Sequence, residues 1–387
     1  MAEVPELPAE DMARLPASIG PWGLALRRLL RKKLALIAIV AIASFYFVGL
    51  FAPVISPKDY KTTDLPNQLQ APSLEHPLGT DRLGRDLLSR VIWSARTTTI
   101  VTVATVVAGS LVLAVGLGML SGYVGGKVDT AIMRSGEVFA SLPGLPMLIL
   151  INATMRPRAV AGVDWLESHI SSDALLTALR EPGGGDFVFI ALLGLLSMAG
   201  VVGLGAWLLA GEDRRNGTWL MPAMLAAFVI LILWAVQAIF ATPGSADYFL
   251  IFGALALFSW VGGARVIRSQ VLALRETEYV LAARAMGADT WRILGSHLLP
   301  NVSPIIIVSV SASLGAIAGT EIALSFLGVG VREAPSFGSL IFQASNPETI
   351  NDYPHLLLAP ALVIAALIFA FNLLGDALND VLTPKAR

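Results

Sequence analysis

The chain contains no cysteine, which excludes disulfides, thiol catalysis and cysteine-held metals. Histidine is scarce as well. The four copies, His76, His169, His297 and His355, are scattered, and no metal site is expected from them. Charge is thin: 14% of the 387 residues are Asp, Glu, Lys or Arg, against about 25% in an ordinary soluble domain. The charges cluster, and long stretches between the clusters have none. Nothing alternates at period two, so a membrane barrel is excluded. What is present is 55% apolar residues in long uninterrupted runs. Helices are the spanning form left, because lipid offers no partner to an unpaired backbone group. The net charge of −1 singles out no partner, and no nucleic acid is expected.

Eight runs are long enough to cross a bilayer, which takes about 20 apolar residues as helix. They are 34–52, 97–126, 138–155, 187–211, 216–246, 248–264, 304–328 and 353–375. The first is not read as a cleavable signal, because 33 residues precede it and it exceeds a signal core in length. RRLLRKK at 27–33 places five basic residues directly before it, which puts the N-terminus in the cytoplasm by the positive-inside rule. Eight crossings then return the C-terminus, with Lys385 and Arg387, to the same side. The loops 211–215 and 265–303 fall on that side too, the second with Arg265, Arg268, Arg275, Arg284 and Arg292. The segment 53–95 falls outside despite Lys58, Lys61, Arg82, Arg85 and Arg90, which Asp59, Asp64, Glu75, Asp81 and Asp86 offset.

Two short patterns have ready structural readings. Gly118, Gly122 and Gly126 repeat at four-residue spacing, which lets helices approach closely in lipid. Packing within the fold is the main reading, and a dimer face the lesser one. SGYVGGKV at 121–128 resembles a phosphate loop superficially, but Ser121 replaces its first glycine and Val128 its hydroxyl residue. No nucleotide motif occurs elsewhere, so any ATP-driven step belongs to another chain.

The most distinctive stretch is EYVLAARAMGADTWRILGSHLLPN, residues 278–301, set between two apolar runs. It carries Glu278, Arg284, Asp289, Arg292 and His297. Its first third is built of good helix formers. Gly287 interrupts that helix, Asp289 or Thr290 is suited to cap a second short one, and Pro300 fits the opening of the next span. Ala282 and Ala283 leave a small, smooth face. An amphipathic segment resting on lipid headgroups would read similarly.

This stretch resembles the Glu-Ala-Ala loop of binding-protein-dependent ABC importer permeases. Ala282, Ala283, Gly287, Leu299 and Pro300 stand in the family's register, and Leu281 stands where its glutamate is usual. Further blocks resemble the dipeptide and oligopeptide (peptide/nickel) branch. They are HPLGTDRLGRDLLSRVIWSART at 76–97, GYVGGKVDTAIMR at 122–134, LSFLGVGV at 324–331 and FNLLGDALNDVLTP at 371–384. Asn379, Thr383 and Phe337 depart from the residues usual there. The resemblance covers 1–155 and 246–387. Such permeases usually have six spans, so 156–245 reads as an inserted external loop with two extra spans, a number that preserves the topology after it.

The resemblance implies an all-α polytopic membrane protein with the type I ABC importer fold. The layout is a cytoplasmic tail 1–33, a first span 34–52, an external segment 53–96, a first core part 97–155, the insertion 156–245 and a second core part 246–387. It implies a permease subunit without enzymatic chemistry in a prokaryotic inner membrane. Its implied partners are a homologous second permease, two cytoplasmic ATPases using ATP and Mg, and an external solute-binding protein. Peptides are the default solute; nickel chelates and glycosides use close relatives. Glu278, Ala282, Ala283, Arg284, Gly287, Asp289, Arg292, Leu299 and Pro300 would form the ATPase-coupling loop. Glu321, an acid inside a span, is either an anchor near the external end or a lining of the solute path. Asp376 is expected to pack or pair at the cytoplasmic end of the last span. A secondary transporter, a channel or a non-transport regulator on the same body is the alternative. Neighbouring genes for a second permease, ATPases and a secreted binding protein would decide against it.

The two-span insertion makes a direct prediction. Topology reporters fused at Asp173 and Arg214 are expected on opposite faces of the membrane, external and cytoplasmic. Both reporters on one face would remove the insertion model.

Overall fold

The computed structural model describes Leu29 and residues 31–169 and 244–382, with 163–169 and 382 described as backbone only. The expected spans 187–211 and 216–246, apart from the last few residues of the second, lie outside the described residues, as do Asp173 and Arg214. No strand occurs among the described residues. Helix α1 is Lys33–Leu50, followed by a single turn α2, Ala52–Ile55. A long second span comprises α3 (Leu87–Thr105), a π-helical segment Val106–Val115 and α4 (Gly116–Val124). Then come α5 (Gly126–Ser141), α6 (Gly144–His169) and α7 (Ser245–Leu274). After α7 come α8 (Glu278–Ala285), α9 (Thr290–Arg292), a π turn Ile293–Leu298 and α10 (Leu299–Phe326). Two short helices, α11 (Phe337–Ala344) and α12 (Pro347–Asp352), precede α13 (His355–Leu382).

Five of these are long and apolar enough to cross a membrane: α1, Leu87–Val124, α7, Thr290–Phe326 and His355–Val381. Several expected boundaries change; the run 97–126 begins at Leu87, and 353–375 runs on to Val381. The run 138–155 is not one straight helix, because α5 and α6 meet across it at 89°. Pro143 lies in the break, and it forces Leu142 into extended backbone (φ −80°, ψ 138°), which ends α5. The run 248–264 extends to 30 residues as α7, which carries Arg265 and Arg268 past the apolar zone, and Arg268 pairs there with Asp129. The span expected from residue 304 begins at Thr290 as one 37-residue helix.

The bundle has two distinct ends. Lys32 Nζ lies 2.8 Å from Asp380 Oδ2, which brings the start of α1 and the end of α13 to one face. The α4–α5 turn, the end of α7 and α8 lie together, where Arg275 Nη1 donates to the Gly122 carbonyl at 3.2 Å. Because α4 ends a span that runs antiparallel to α1, these share the face of the chain ends, here called the basic face. The segments 51–86 and 328–354 make the opposite face. The core between them is apolar, with Tyr46, Leu50, Ile100, Val101, Tyr248, Ile251, Ile317 and Phe371 in one cluster.

At the opposite face the block Gly79–Asp86 is a polar clamp over the start of α3. Asp86 caps α3 by accepting from Ser89 N (2.8 Å) and holds His76 Nδ1 at 2.9 Å. Asp81 accepts from the Leu83 and Arg85 amides (2.8 and 2.9 Å), from Arg85 Nε (2.8 Å) and from Arg90. Arg90 also donates to Gln343 Oε1 of α11 at 3.0 Å. The basic residues that fit the charge rule poorly here are therefore partly consumed by structural pairing. Tyr60 is buried against Trp93 (4.5 Å between rings), and burial above all pushes its hydroxyl up to about 12.

The seam between α4 and α7 accounts for the glycine spacing. A Cβ on Gly122 would fall 2.8 Å from Val271 Cβ and 2.9 Å from the Arg268 carbonyl, and one on Gly118 would fall 2.8 Å from the Ala264 carbonyl. Gly118 and Gly122 pack within the fold, whereas a Cβ on Gly126 (φ 55°) would meet nothing within 4 Å, and that glycine belongs to the turn after α4. Gly122→Leu is expected to destabilise the protein by about 1–3 kcal/mol, the usual cost of overpacking. Gly253→Leu, where a Cβ meets nothing within 4 Å, is expected to be neutral. Thermal unfolding midpoints of the two variants in detergent check this, and equal midpoints would refute the tight seam.

Candidate functional site: the elbow at the basic face

Residues 275–298 form an elbow whose every bend has a local cause. Thr277 is extended (φ −74°, ψ 150°) and starts α8, with Glu278 in the first turn, where the helix dipole favours an acid. The helix closes on Gly287, at φ 81°. Gly287 N donates to the Arg284 carbonyl and Ala288 N to the Ala283 carbonyl, both at 3.0 Å. This pair of bonds is a Schellman cap, which needs a left-handed residue and so favours glycine. Asp289 then caps the following helix by accepting from Arg292 N at 3.1 Å.

Beyond Asp289 the structure departs from the expectation of a second short helix. The backbone runs unbroken from Thr290 into the span, passing through the π turn Ile293–Leu298. Pro300 does not open a separate helix. It lacks an N–H for the Ser296 carbonyl, and the wider turn just before it absorbs that loss. The elbow is thus one short helix hinged at Gly287 onto the end of a membrane-spanning helix.

The two faces of α8 differ sharply. Val280 and Ala283 are both buried, and Val280 joins Ile293, Leu294 and Leu298 in a cluster with Met119, Ile267, Val271 and Val302. Ala282 is exposed. The expected smooth face shared by Ala282 and Ala283 therefore does not exist, since adjacent helical residues point about 100° apart. Leu299 and Pro300 are half-buried at the base of the elbow. Outward lie Tyr279, Leu281, Met286 and Trp291, of which Met286 is 82% and Trp291 74% exposed. Glu278, Arg284, Asp289 and Arg292 are exposed around them. An exposed apolar group rimmed by charge marks a surface that another molecule covers. A Cβ on Gly287 would meet nothing within 4 Å, so the space over the hinge is open.

The remaining candidates lie elsewhere. Glu321 is enclosed, 1% exposed, and accepts from Thr98 Oγ1 (2.8 Å) and Ser325 Oγ (2.9 Å). The bond to Thr98 ties α10 to α3. Asp376 is exposed, and the carboxylate that pairs at that end of α13 is Asp380, with Lys32. Sequence reading took Arg268 and Arg275 only as loop charges and gave Tyr123 and Asp129 no role; the four gather beneath the elbow. The block GYVGGKVD was the available signal, but its partners are distant in sequence.

Two family models match the chain. Residues 234–387 match the binding-protein-dependent transport system inner membrane component, and residues 20–72 match the N-terminal TM domain of oligopeptide transport permease C. The chain is 27% identical over 381 residues to a dipeptide transport system permease protein of Alkalihalophilus pseudofirmus, covering 98% of this chain and 94% of that one. It is 28% identical over 372 residues to an oligopeptide transport system permease protein of Bacillus subtilis, covering 96% and 92%. It is likewise 28% identical over 369 residues to a glutathione transport system permease protein of Pectobacterium atrosepticum, covering 95% and 89%. With its helical bundle, its capped elbow and both matches in place, residues 234–387 and 20–72 carry the two permease domains, and the chain is similar over nearly its whole length to binding-protein-dependent ABC importer permeases.

Proposed function

We propose that this permease subunit carries peptides or peptide-sized solutes inward across a prokaryotic inner membrane. The relatives named for dipeptide, oligopeptide and glutathione transport support that solute class. A separate binding protein delivers the solute outside, and a homologous second permease completes the path. Two cytoplasmic ATPases bind ATP and Mg and close on it; the departures at Ser121 and Val128 support leaving nucleotide to them. The basic face, with both chain ends and the elbow, is read as cytoplasmic.

The observation that carries the reading is the elbow's outer surface. Tyr279, Leu281, Met286 and Trp291 stand exposed on a short helix whose inner face is locked into the bundle. A lipid-resting helix needs no such capped hinge. A docking element does, because force must pass from the bound ATPase into the span without the helix slipping. Glu278, Arg284, Asp289 and Arg292 would set orientation at the rim, where charges contribute more to specificity than to affinity.

The reading of 156–245 as an insertion draws support from its flanks. Asp247, 2% exposed, accepts from Arg156 Nε at 2.7 Å and from the Arg332 amide at 3.1 Å. The two ends of the inserted segment are thereby tied to each other and to the loop after α10, independently of what lies between them.

The test uses the whole transporter in vesicles. Met286→Asp and Trp291→Asp are expected to leave the permease in the membrane but cut ATPase co-purification and uptake about tenfold or more, the loss typical of a central interface residue. Ala282→Glu is expected to act likewise from the exposed face. Ala283→Glu is unsuitable, since it would bury a charge inside the bundle. Gly287→Trp is expected to uncouple hydrolysis from uptake, because a side chain strains the left-handed backbone. Full uptake with normal subunit retention in all of these variants would refute the docking role.

A further inference from the structure

Beneath the elbow, three arginines from successive parts of the chain grip one turn. Helix α4 ends at Val124, and the chain reverses through Gly125 (φ 68°) and Gly126 (φ 55°) into α5. On this turn Asp129 accepts two parallel bonds from Arg268, Nε to Oδ1 and Nη2 to Oδ2, each 2.5 Å. Ser121 Oγ donates to the same carboxylate at 2.5 Å. Arg275, just past the end of α7, donates to the Gly122 carbonyl, one of the acceptors that a helix end leaves unpaired. Arg284, on the elbow itself, lies over the Tyr123 ring at 5.5 Å. The grips thus run in order from α7, through its end, to α8.

We propose that the turn 121–129 is a transmission joint. Asp129, Arg268 and Tyr123 are positioning residues that make α4 and α5 follow the elbow when the ATPases move it. This rests on the reading of the elbow as the ATPase contact. Stability is the lesser part of their role. The Arg268 and Asp129 side chains are 30% and 18% exposed, so water screens part of the pair's contribution to folding. The apolar cluster around Met119, Ile267 and Val271 already holds the seam. What a bidentate pair adds is a fixed direction between two helices, which a lysine or a single hydrogen bond does not supply. The joint also accounts for the glycine-rich block, which resembles a phosphate loop only superficially: it is built as a turn with its carbonyls and its acid aimed inward.

The experiment compares uptake per ATP hydrolysed in vesicles holding the complete transporter. Asp129→Asn and Arg268→Lys are expected to retain the ATPases and their hydrolysis while uptake per ATP falls about fivefold or more, the size of a typical coupling between sites. The exchange Asp129→Arg with Arg268→Asp is expected to recover part of the uptake lost in either single exchange. Unchanged uptake per ATP in Asp129→Asn and Arg268→Lys would overturn the joint, as would uptake and hydrolysis falling in parallel, which marks mere loss of assembly. Gly287→Trp is run alongside. If it uncouples and the joint variants do not, the joint alone fails; if it too leaves the ratio unchanged, the reading of the elbow fails with it.

Discussion

The close approach of α7 to α4 is the contact on which the basic face depends. It exists because Gly118 and Gly122 present bare backbone to Ala264, Ile267, Arg268 and Val271. In lipid, apolar side chains gain little by meeting each other rather than acyl chains, so helices associate through intimate packing and polar bonds. The seam supplies the packing. Its nearness then lets Arg268 reach Asp129 and Arg275 reach the Gly122 carbonyl. Any side chain at Gly122 would push the arginines off their partners, and the elbow would lose its footing on the second span.

The opposite end is organised by the same constraint, that buried polar groups find partners inside the protein. Asp81 and Asp86 gather amides, a histidine and two arginines into a clamp over α3, and Thr97 Oγ1 reaches the Pro335 carbonyl at 2.8 Å. Glu321 belongs to this pattern. Its carboxyl is spanned by Thr98 and Ser325, which binds α10 to α3 in the half of the bundle away from the basic face. The membrane-spanning body is therefore fixed near both ends by polar contacts and filled between them by apolar ones.

Much of this was legible in the sequence. Long apolar runs, uncharged apart from Glu321 in α10, located α1, the second span, α7, α10 and α13, because a run of that length is at home in lipid and rarely anywhere else. Gly287, Asp289 and the helix before them were legible because caps are local chemistry. The break at Pro143 was not, since apolar content continues through it and only the extended geometry of Leu142 shows the bend. The inward turn of Ala283 depended on which face of α8 meets Ile293 and Leu298, a tertiary fact. The continuous helix from Thr290 was hidden by Pro300, which reads as a start until a π turn is seen to accommodate it. The pairing of Asp129 with Arg268 spans 139 residues, and no local pattern announces it.

The central claim is that the elbow and the inner ends of α4 and α7 move as one body. Because the chain lacks cysteine, spin labels can be placed without removing any residue of its own. Met286→Cys and Val124→Cys put labels on two exposed positions at the basic face, and Val54→Cys puts one on an exposed position at the other. The measurement is pulsed electron–electron distance in the whole transporter, with and without ATP. A rigid joint predicts that the Met286–Val124 distance holds constant while the Met286–Val54 distance shifts. A Met286–Val124 distance that shifts as much as the other would contradict it.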